Sequence, residues 1–198
     1  MDLKTVLFFG RSGSGKGTQV ELLTKYLLEK DPERKVLHIA TGDGLRKLAE
    51  GDSYGGRLVD KIISVGELMP TFIPIWVWTG KLLEEYTGKE HLILDGLARR
   101  PIEAPVLHHA LKFYDRAKGA EVVLIDVSDK WATERLLARG REDDKGDDIK
   151  RRLDWFNAEV KESIAFFENK PKYYQFHIIN GEQTIEEVHK EILSKLKI

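Results

Sequence analysis

The stretch GRSGSGKGTQ, from Gly10 to Gln19, has the residue types of a loop that wraps phosphate. Glycines let consecutive backbone N–H groups turn toward an anion, and a helix N-terminus behind them adds positive potential. Gly13, Ser14, Gly15, Lys16, Gly17 and Thr18 are the candidate ligands of a nucleotide polyphosphate. Lys16 can reach its β and γ oxygens. The usual motif places Ser or Thr directly after the lysine, with the hydroxyl on magnesium. Here position 17 is glycine and the first hydroxyl comes at Thr18. Either Thr18 serves as a metal ligand, or the metal rests on phosphate oxygens, water and a carboxylate, because Mg²⁺ keeps several waters readily. Gly17 disfavours an ordinary GTPase loop, and the chain has no N/T-K-x-D guanine-reading motif.

A carboxylate and five arginines complete the candidate chemistry. Asp95 ends an apolar run and is followed by Gly96 and two arginines; Asp126, its rival, has neither. Phosphoryl transfer needs alignment and charge neutralisation more than covalent chemistry. Arginine forks bind phosphate oxygens bidentately. Arg46 and Arg99 follow strand ends, where α/β sheets place ligands. Arg139, Arg141 and Arg152 lie in the charge-dense segment ARGREDDKGDDIKRR, which reads as a flap over phosphate. Arg11, Arg100 and Arg151 read as surface residues. His108 and His109 are adjacent and cannot share a ligand from one helix face. Trp76, Trp155 and Phe156 are expected to pack in the core.

These residues need a scaffold. The runs 5–9, 35–40, 91–95, 121–127 and 176–179 are apolar and rich in β-branched residues, as suits parallel strands covered on both faces. Amphipathic stretches separate them. Residues 16–30 place Val20, Leu23, Leu27 and Leu28 on one face, and Thr184 with Glu187 forms a capping box ahead of 184–196. The alternation predicts a three-layer α/β fold with a doubly wound five-stranded parallel sheet and right-handed crossovers. Two excursions, 41–86 and 138–152, exceed a minimal βαβ unit. With 198 residues, the chain is long enough for one such domain. Net charge is −1, which favours no nucleic-acid backbone, and there is no cysteine for disulfides or thiol catalysis. No apolar run is long enough for a membrane span or a signal segment, so the expected location is cytoplasmic.

The loop G-x-x-G-x-G-K-G-T-Q resembles that of adenylate kinases and related nucleoside monophosphate kinases, where glycine after the lysine is normal. Ser12 stands where that family commonly has proline. The resemblance continues in order. IATGDGLR (39–46) is similar to T-G-D-x-L-R, GELMP (66–70) to the end of the monophosphate-binding insertion, and LDGLARR (94–100) to L-D-G-F-P-R-T. ERLLARGREDD and IKRRL resemble a short lid, trimmed here because only Gly140 separates Arg139 from Arg141. The resemblance implies a P-loop kinase of one domain spanning 1–198, with a helical monophosphate-binding insertion at 41–70 and a short lid at 139–149. It implies ATP as phosphoryl donor at the glycine loop, with Mg²⁺ held by Asp95 through water. Thr41 would lie near the acceptor base, and Arg46 and Arg99 would bind the acceptor phosphate. Lys16, Arg99, Arg139, Arg141 and Arg152 would surround the transferring group. It also implies a monomer.

The acceptor is the open question. Adenine-selective members carry a glutamine where this chain has Glu103. Glutamine donates and accepts; an ionised glutamate only accepts. A carboxylate suits the adjacent N1–H and N2–H₂ donors of guanine better than the unprotonated N1 of adenine. Either Glu103 meets the base, or it points to solvent. Thr41 matches the adenylate members, so AMP is the leading acceptor, with ATP + AMP ⇌ 2 ADP as the reaction. The alternatives are GMP, CMP or UMP, or an adenylate sensor without turnover.

Overall fold

The computed structural model describes residues 1–140 and 146–198. Five parallel strands run as β1 (Thr5–Phe9), β2 (Val36–Ala40), β3 (His91–Asp95), β4 (Ala120–Asp126) and β5 (Tyr174–Asn180), in the spatial order β2-β3-β1-β4-β5. Because strand side chains alternate, Leu7 and Phe9 enter one core while Val6 and Phe8 enter the other. That double burial is why the strands read as continuous apolar runs. β5 starts two residues earlier than its apolar run, since Tyr174 and Gln175 pair with Ala120 and Glu121.

Helices α1 (Lys16–Lys30) and α9 (Ile185–Leu196) cover one face through Val20, Leu23, Leu27, Val188 and Ile192. Helices α4 (Phe72–Glu85), α5 (Glu103–Phe113) and α8 (Lys161–Glu168) cover the other through Trp78, Leu82, Leu107, Leu111 and Phe167. The capping box of α9 is present: Glu187 N–H donates to Thr184 Oγ1 at 3.2 Å, and Thr184 N–H donates to the Glu187 carboxylate at 3.0 Å. Two expectations fail by helix phase. Leu28 is exposed, because the inward face of α1 centres on residues 20, 23 and 27. Trp76 is exposed and Trp78 is fully buried instead; two positions are about 200° apart around a helix, so only one of them can face the sheet.

The first excursion folds as α2 (Thr41–Ala49) and α3 (Tyr54–Ser64) ahead of α4, with a small core of Leu45, Val59, Met69 and Val77. Val77 belongs to α4, so α2 and α3 rest on that helix. Gly44 makes the approach possible: a Cβ there would lie 2.2 Å from Val77 Cγ1. The second excursion connects α6 (Asp129–Arg139) to α7 (Gly146–Trp155), and the two helices meet through Ala132, Leu136, Ile149 and Leu153. A π-helical turn, Phe156–Val160, joins α7 to α8. Arg141 and the tip of the expected lid lie outside the described residues.

Gly44→Ala should destabilise the fold by about 1–2 kcal/mol through overpacking, although alanine is the better helix former. Chemical denaturation of Gly44→Ala, Val77→Ala and the double variant checks this. The double variant should be more stable than the sum of the two single losses.

Candidate active site

The loop between β1 and α1 turns on glycines. Gly13 and Gly15 have φ of 84° and 83°, and a Cβ on Gly13 would lie 2.5 Å from the Ala132 carbonyl oxygen. A side chain at Gly13 would force the loop off α6, whereas Gly15 is held to glycine by its backbone conformation alone. Gly15 ends the loop as the N-cap of α1, with no side-chain cap and no acid in the first turn. The positive end of α1 therefore keeps its N–H groups and potential for an anion. Gly13, Lys16 and Gly17 line the cleft, Ser14 is buried beneath the loop, and Thr18 is exposed on the first turn of α1.

Arg11, expected on the surface, is buried. Its guanidinium pairs with Asp129, lies 3.7 Å from Asp126 and sits 5.1 Å from the centre of the Phe156 ring. The loop is thereby tied to the start of α6 and to the π-helical turn. Asp126 serves this tie from an exposed position. The carboxylate on the cleft floor is Asp95.

Asp95 ends β3 and receives the Lys16 ammonium directly. Burial alone would raise its carboxyl, but Lys16, with His38 Nε2 at 3.8 Å, holds it well below the usual carboxylate range. His38, at the C-terminal end of β2, was absent from the sequence-based site, though ligands gather beyond that edge of a parallel sheet. Gly96 follows at φ 61°, and a Cβ there would crowd Arg99 Nη2 at 3.2 Å and Lys16 Nζ at 3.5 Å. Ala98 turns through φ 55°, which the proline ring cannot adopt. Its carbonyl accepts from the Ser163 hydroxyl.

Arg99 Nε donates to the Gly96 carbonyl at 3.0 Å, and the guanidinium lies 5.9 Å from the Trp155 ring centre. Burial lowers its pKa; Asp95 and Glu103 oppose that, while Arg46 and Arg152 add repulsion. The guanidinium stays protonated all the same. Arg46, exposed on α2, pairs with Asp43 and borders the same cleft. Arg139, exposed at the end of α6, and Arg152, buried on α7, line it from the other side. Thr41 is buried at the start of α2, and among the described residues its hydroxyl has no hydrogen-bond partner.

Glu103 does not point to solvent. It is 2% exposed, lines the cleft and accepts the Arg99 backbone N–H at 2.8 Å. Burial raises its carboxyl above the ordinary value, although that hydrogen bond and the nearby arginines lower it.

The return segment of the first excursion is also tied down. Arg100 reaches the Leu68 and Met69 carbonyls at 3.4 Å, Arg151 donates to the Val65 carbonyl, and Trp155 Nε1 donates to Gly66 O at 2.9 Å. Arg100 and Arg151 stay partly exposed and outside the cleft lining, as expected, and serve in addition as ties between elements. Trp155 lines the cleft as well as packing, and Phe156 is buried, as expected.

A parallel sheet in this order, with a glycine loop feeding the first helix and arginines closing on it from two excursions, is the framework of a P-loop nucleoside monophosphate kinase. The family model for adenylate kinase matches residues 8–172. Adenylate kinase 1 of Nostoc sp. is 32% identical over 191 residues, covering 96% of this chain and 97% of that protein. The adenylate kinase of Helicobacter hepaticus is 31% identical over 198 residues, covering 98% and 97%. That of Nautilia profundicola is 32% identical over 195 residues, covering 98% and 96%. The chain belongs to the adenylate kinase family and is a nucleoside monophosphate kinase that uses ATP. Among the described residues, no helix is long and apolar enough to cross a membrane.

Glu103→Gln should raise stability at neutral pH and not at pH 4. A buried acid with a raised pKa binds its proton more tightly in the folded state, so wild-type stability falls as pH rises from the unfolded value through the folded one. An amide keeps the acceptor for the Arg99 N–H and has no charge to bury. Melting temperatures of both proteins between pH 4 and 8 test the sign; a constant difference would refute it.

Proposed function

We propose that the chain catalyses Mg²⁺-dependent transfer of the γ-phosphoryl group of ATP to AMP, giving two ADP. The observation that carries this is one cleft bordered by Lys16, Asp95, Arg46, Arg99, Arg139 and Arg152, with Thr41 and Glu103 on the excursion side. In this reading residues 41–70 are the monophosphate-binding insertion and 139–149 the short lid, with Arg141 assigned from resemblance alone.

Backbone N–H groups of Gly13 to Gly17, with Thr18, hold the donor phosphates against the positive end of α1. Lys16 exchanges Asp95 for phosphate oxygens. Arg46 and Arg99 hold the acceptor phosphate, itself an anionic nucleophile that needs no general base. One of its oxygens bonds to the γ phosphorus as the bond from that phosphorus to the β-γ bridging oxygen breaks, and ADP leaves with the electron pair. Arg139, Arg141 and Arg152 neutralise charge on the transferring group and exclude water that would hydrolyse the donor.

Asp95 is an ionised hard oxygen donor on the cleft floor, which suits Mg²⁺ through a water. Among the described residues no group of three His, Cys, Asp or Glu could hold a metal, so phosphate oxygens and water would supply most ligands. Thr18, exposed on the first turn of α1, would be a further ligand. When bound, the ion neutralises charge on the β and γ oxygens.

One observation favours a second acceptor. Glu103 is buried at the cleft, where its ionised form would present acceptors to the guanine edge. Its protonated form offers a donor beside an acceptor, as an amide does, and suits adenine.

Steady-state assays with ATP and Mg²⁺ should be run against AMP, GMP, CMP, UMP and dTMP from pH 5, near the ordinary glutamate value, up to pH 8. The expected result is the highest kcat/KM for AMP, with the AMP:GMP ratio falling as pH rises and becoming pH-independent in Glu103→Gln. Lys16→Ala and Arg99→Ala should each lower kcat by about 10²-fold or more while the fold is kept. A folded protein with no turnover on AMP, or with unchanged turnover in both alanine variants, would overturn the assignment.

A further inference from the structure

Two neighbouring helices are apolar on faces the fold does not use. On α4, Phe72, Trp76, Thr79, Gly80 and Leu83 recur at i, i+4, i+7, i+8 and i+11. Ile102, just before α5, begins the same spacing with Val106, His109, Ala110 and Phe113. This is the periodicity of a packed helix face. Yet Phe72, Trp76, Leu83, Ile102 and Phe113 are each between 61% and 76% exposed. The opposite faces are already spent on the core through Trp78, Leu82, Leu107 and Leu111. The outer face of α1 behaves differently, with Glu21, Lys25 and Glu29 in water and a Lys25–Glu29 pair.

The stripes lie side by side. Both helices run from the C-terminal edge of the sheet back to its N-terminal edge, so they point the same way. The Tyr114 hydroxyl donates to the Leu82 carbonyl at 3.2 Å, and the Tyr86 and Tyr114 rings meet edge-on at 5.2 Å.

We propose that this face joins two copies of the chain in a two-fold dimer. At roughly 200 Å² per aromatic side chain, Phe72, Trp76 and Phe113 alone present about 400 Å² to water. Leu83, Ile102 and Val106 bring the patch to roughly 700 Å², above the largest patch usual on a monomer. Burying it on both copies would remove on the order of 1,400 Å² of surface, within the range of stable interfaces. Neither stripe holds an Asp, Glu, Lys or Arg, so the partner face needs no opposite charge and an identical face suffices. Gly80 and Ala110 leave room for aromatic anchors of the kind that dominate interfaces. A two-fold axis along the helices sets α4 of one copy on α5 of the other with like ends together. Glu84 and Glu85 then lie at the rim beside Lys112 of the partner subunit. This assembly departs from the monomer expected from resemblance.

Sedimentation of the full chain from low-micromolar to hundred-micromolar concentration tests it. The expected mass is twice the 22.7 kDa of one chain at the upper end. Trp76→Glu and Phe113→Glu should each weaken association about 30-fold or more while turnover is kept, which shows the variants are folded. Leu28→Glu, exposed on the other layer, should leave the mass unchanged. A wild type that stays monomeric throughout, a dimer indifferent to Trp76→Glu and Phe113→Glu, or a monomer that instead co-sediments with anionic lipid vesicles would each overturn the proposal.

Discussion

Mutual repulsion among cations is the constraint on which this architecture depends. Arg99 feels Arg46 and Arg152 as like charges across a partly desolvated cleft, and burial adds to the cost. In a low effective dielectric such neighbours are expensive, and no single helix could hold them together. The fold sets them on three separate supports: α2, the loop after β3, and α7. Each support is anchored away from the charges it carries. Asp95 and Glu103 offset part of the repulsion from below. The remaining positive potential is what a polyphosphate and a monophosphate would neutralise together.

Holding the supports requires ties that do not enter the chemistry. Arg11 fastens the glycine loop to Asp126 and Asp129 and lies over Phe156, at a loop whose neighbour Ser12 lacks the stiffness of a proline. Arg100, Arg151 and Trp155 fasten carbonyls between Val65 and Met69 to elements on the far side of the cleft. A carbonyl accepting from a guanidinium is a charge-assisted contact, stronger than a neutral one. The excursion that carries Thr41 and Arg46 is thus held at its return segment, while α2 stays open toward the cleft.

Residues whose chemistry restricts their type were legible in the sequence. Only glycine fits the turn at Gly13, glycine leaves room for Arg99 and Lys16 at Gly96, a cation suits position 16, and Asp95 was separable from Asp126 by the glycine and arginines that come after it. The strands were legible because burial on both faces leaves an unbroken apolar signature. The ties were not. Arg11, Arg100 and Arg151 look like surface charges until the elements that bury or engage them are in place, and those elements lie up to 118 residues away, as for Arg11 and Asp129. Trp76 and Trp78 could not be phased, since α4 is apolar on two sides and its inward face has no polar boundary. Glu103 is the intermediate case: its position was found by resemblance, but its burial depends on how the loop after β3 folds back to offer the Arg99 N–H.

Helix α4 shows how one element can couple neighbours with different tasks. Three consecutive residues point three ways, because each step turns the helix by about 100°. Trp76 faces out, Val77 meets Gly44 of α2, and Trp78 fills the core against the sheet. The contact under α2 admits little adjustment, since Gly44 has no side chain to yield and Val77 is buried. Trp76 is one residue from the contact with the helix that carries Thr41 and Arg46. Lys16 stands on α1, which packs on the other face of the sheet against β1, β2 and β3. The outer face of α4 and the contact under α2 thus share one helix while engaging different residues of it.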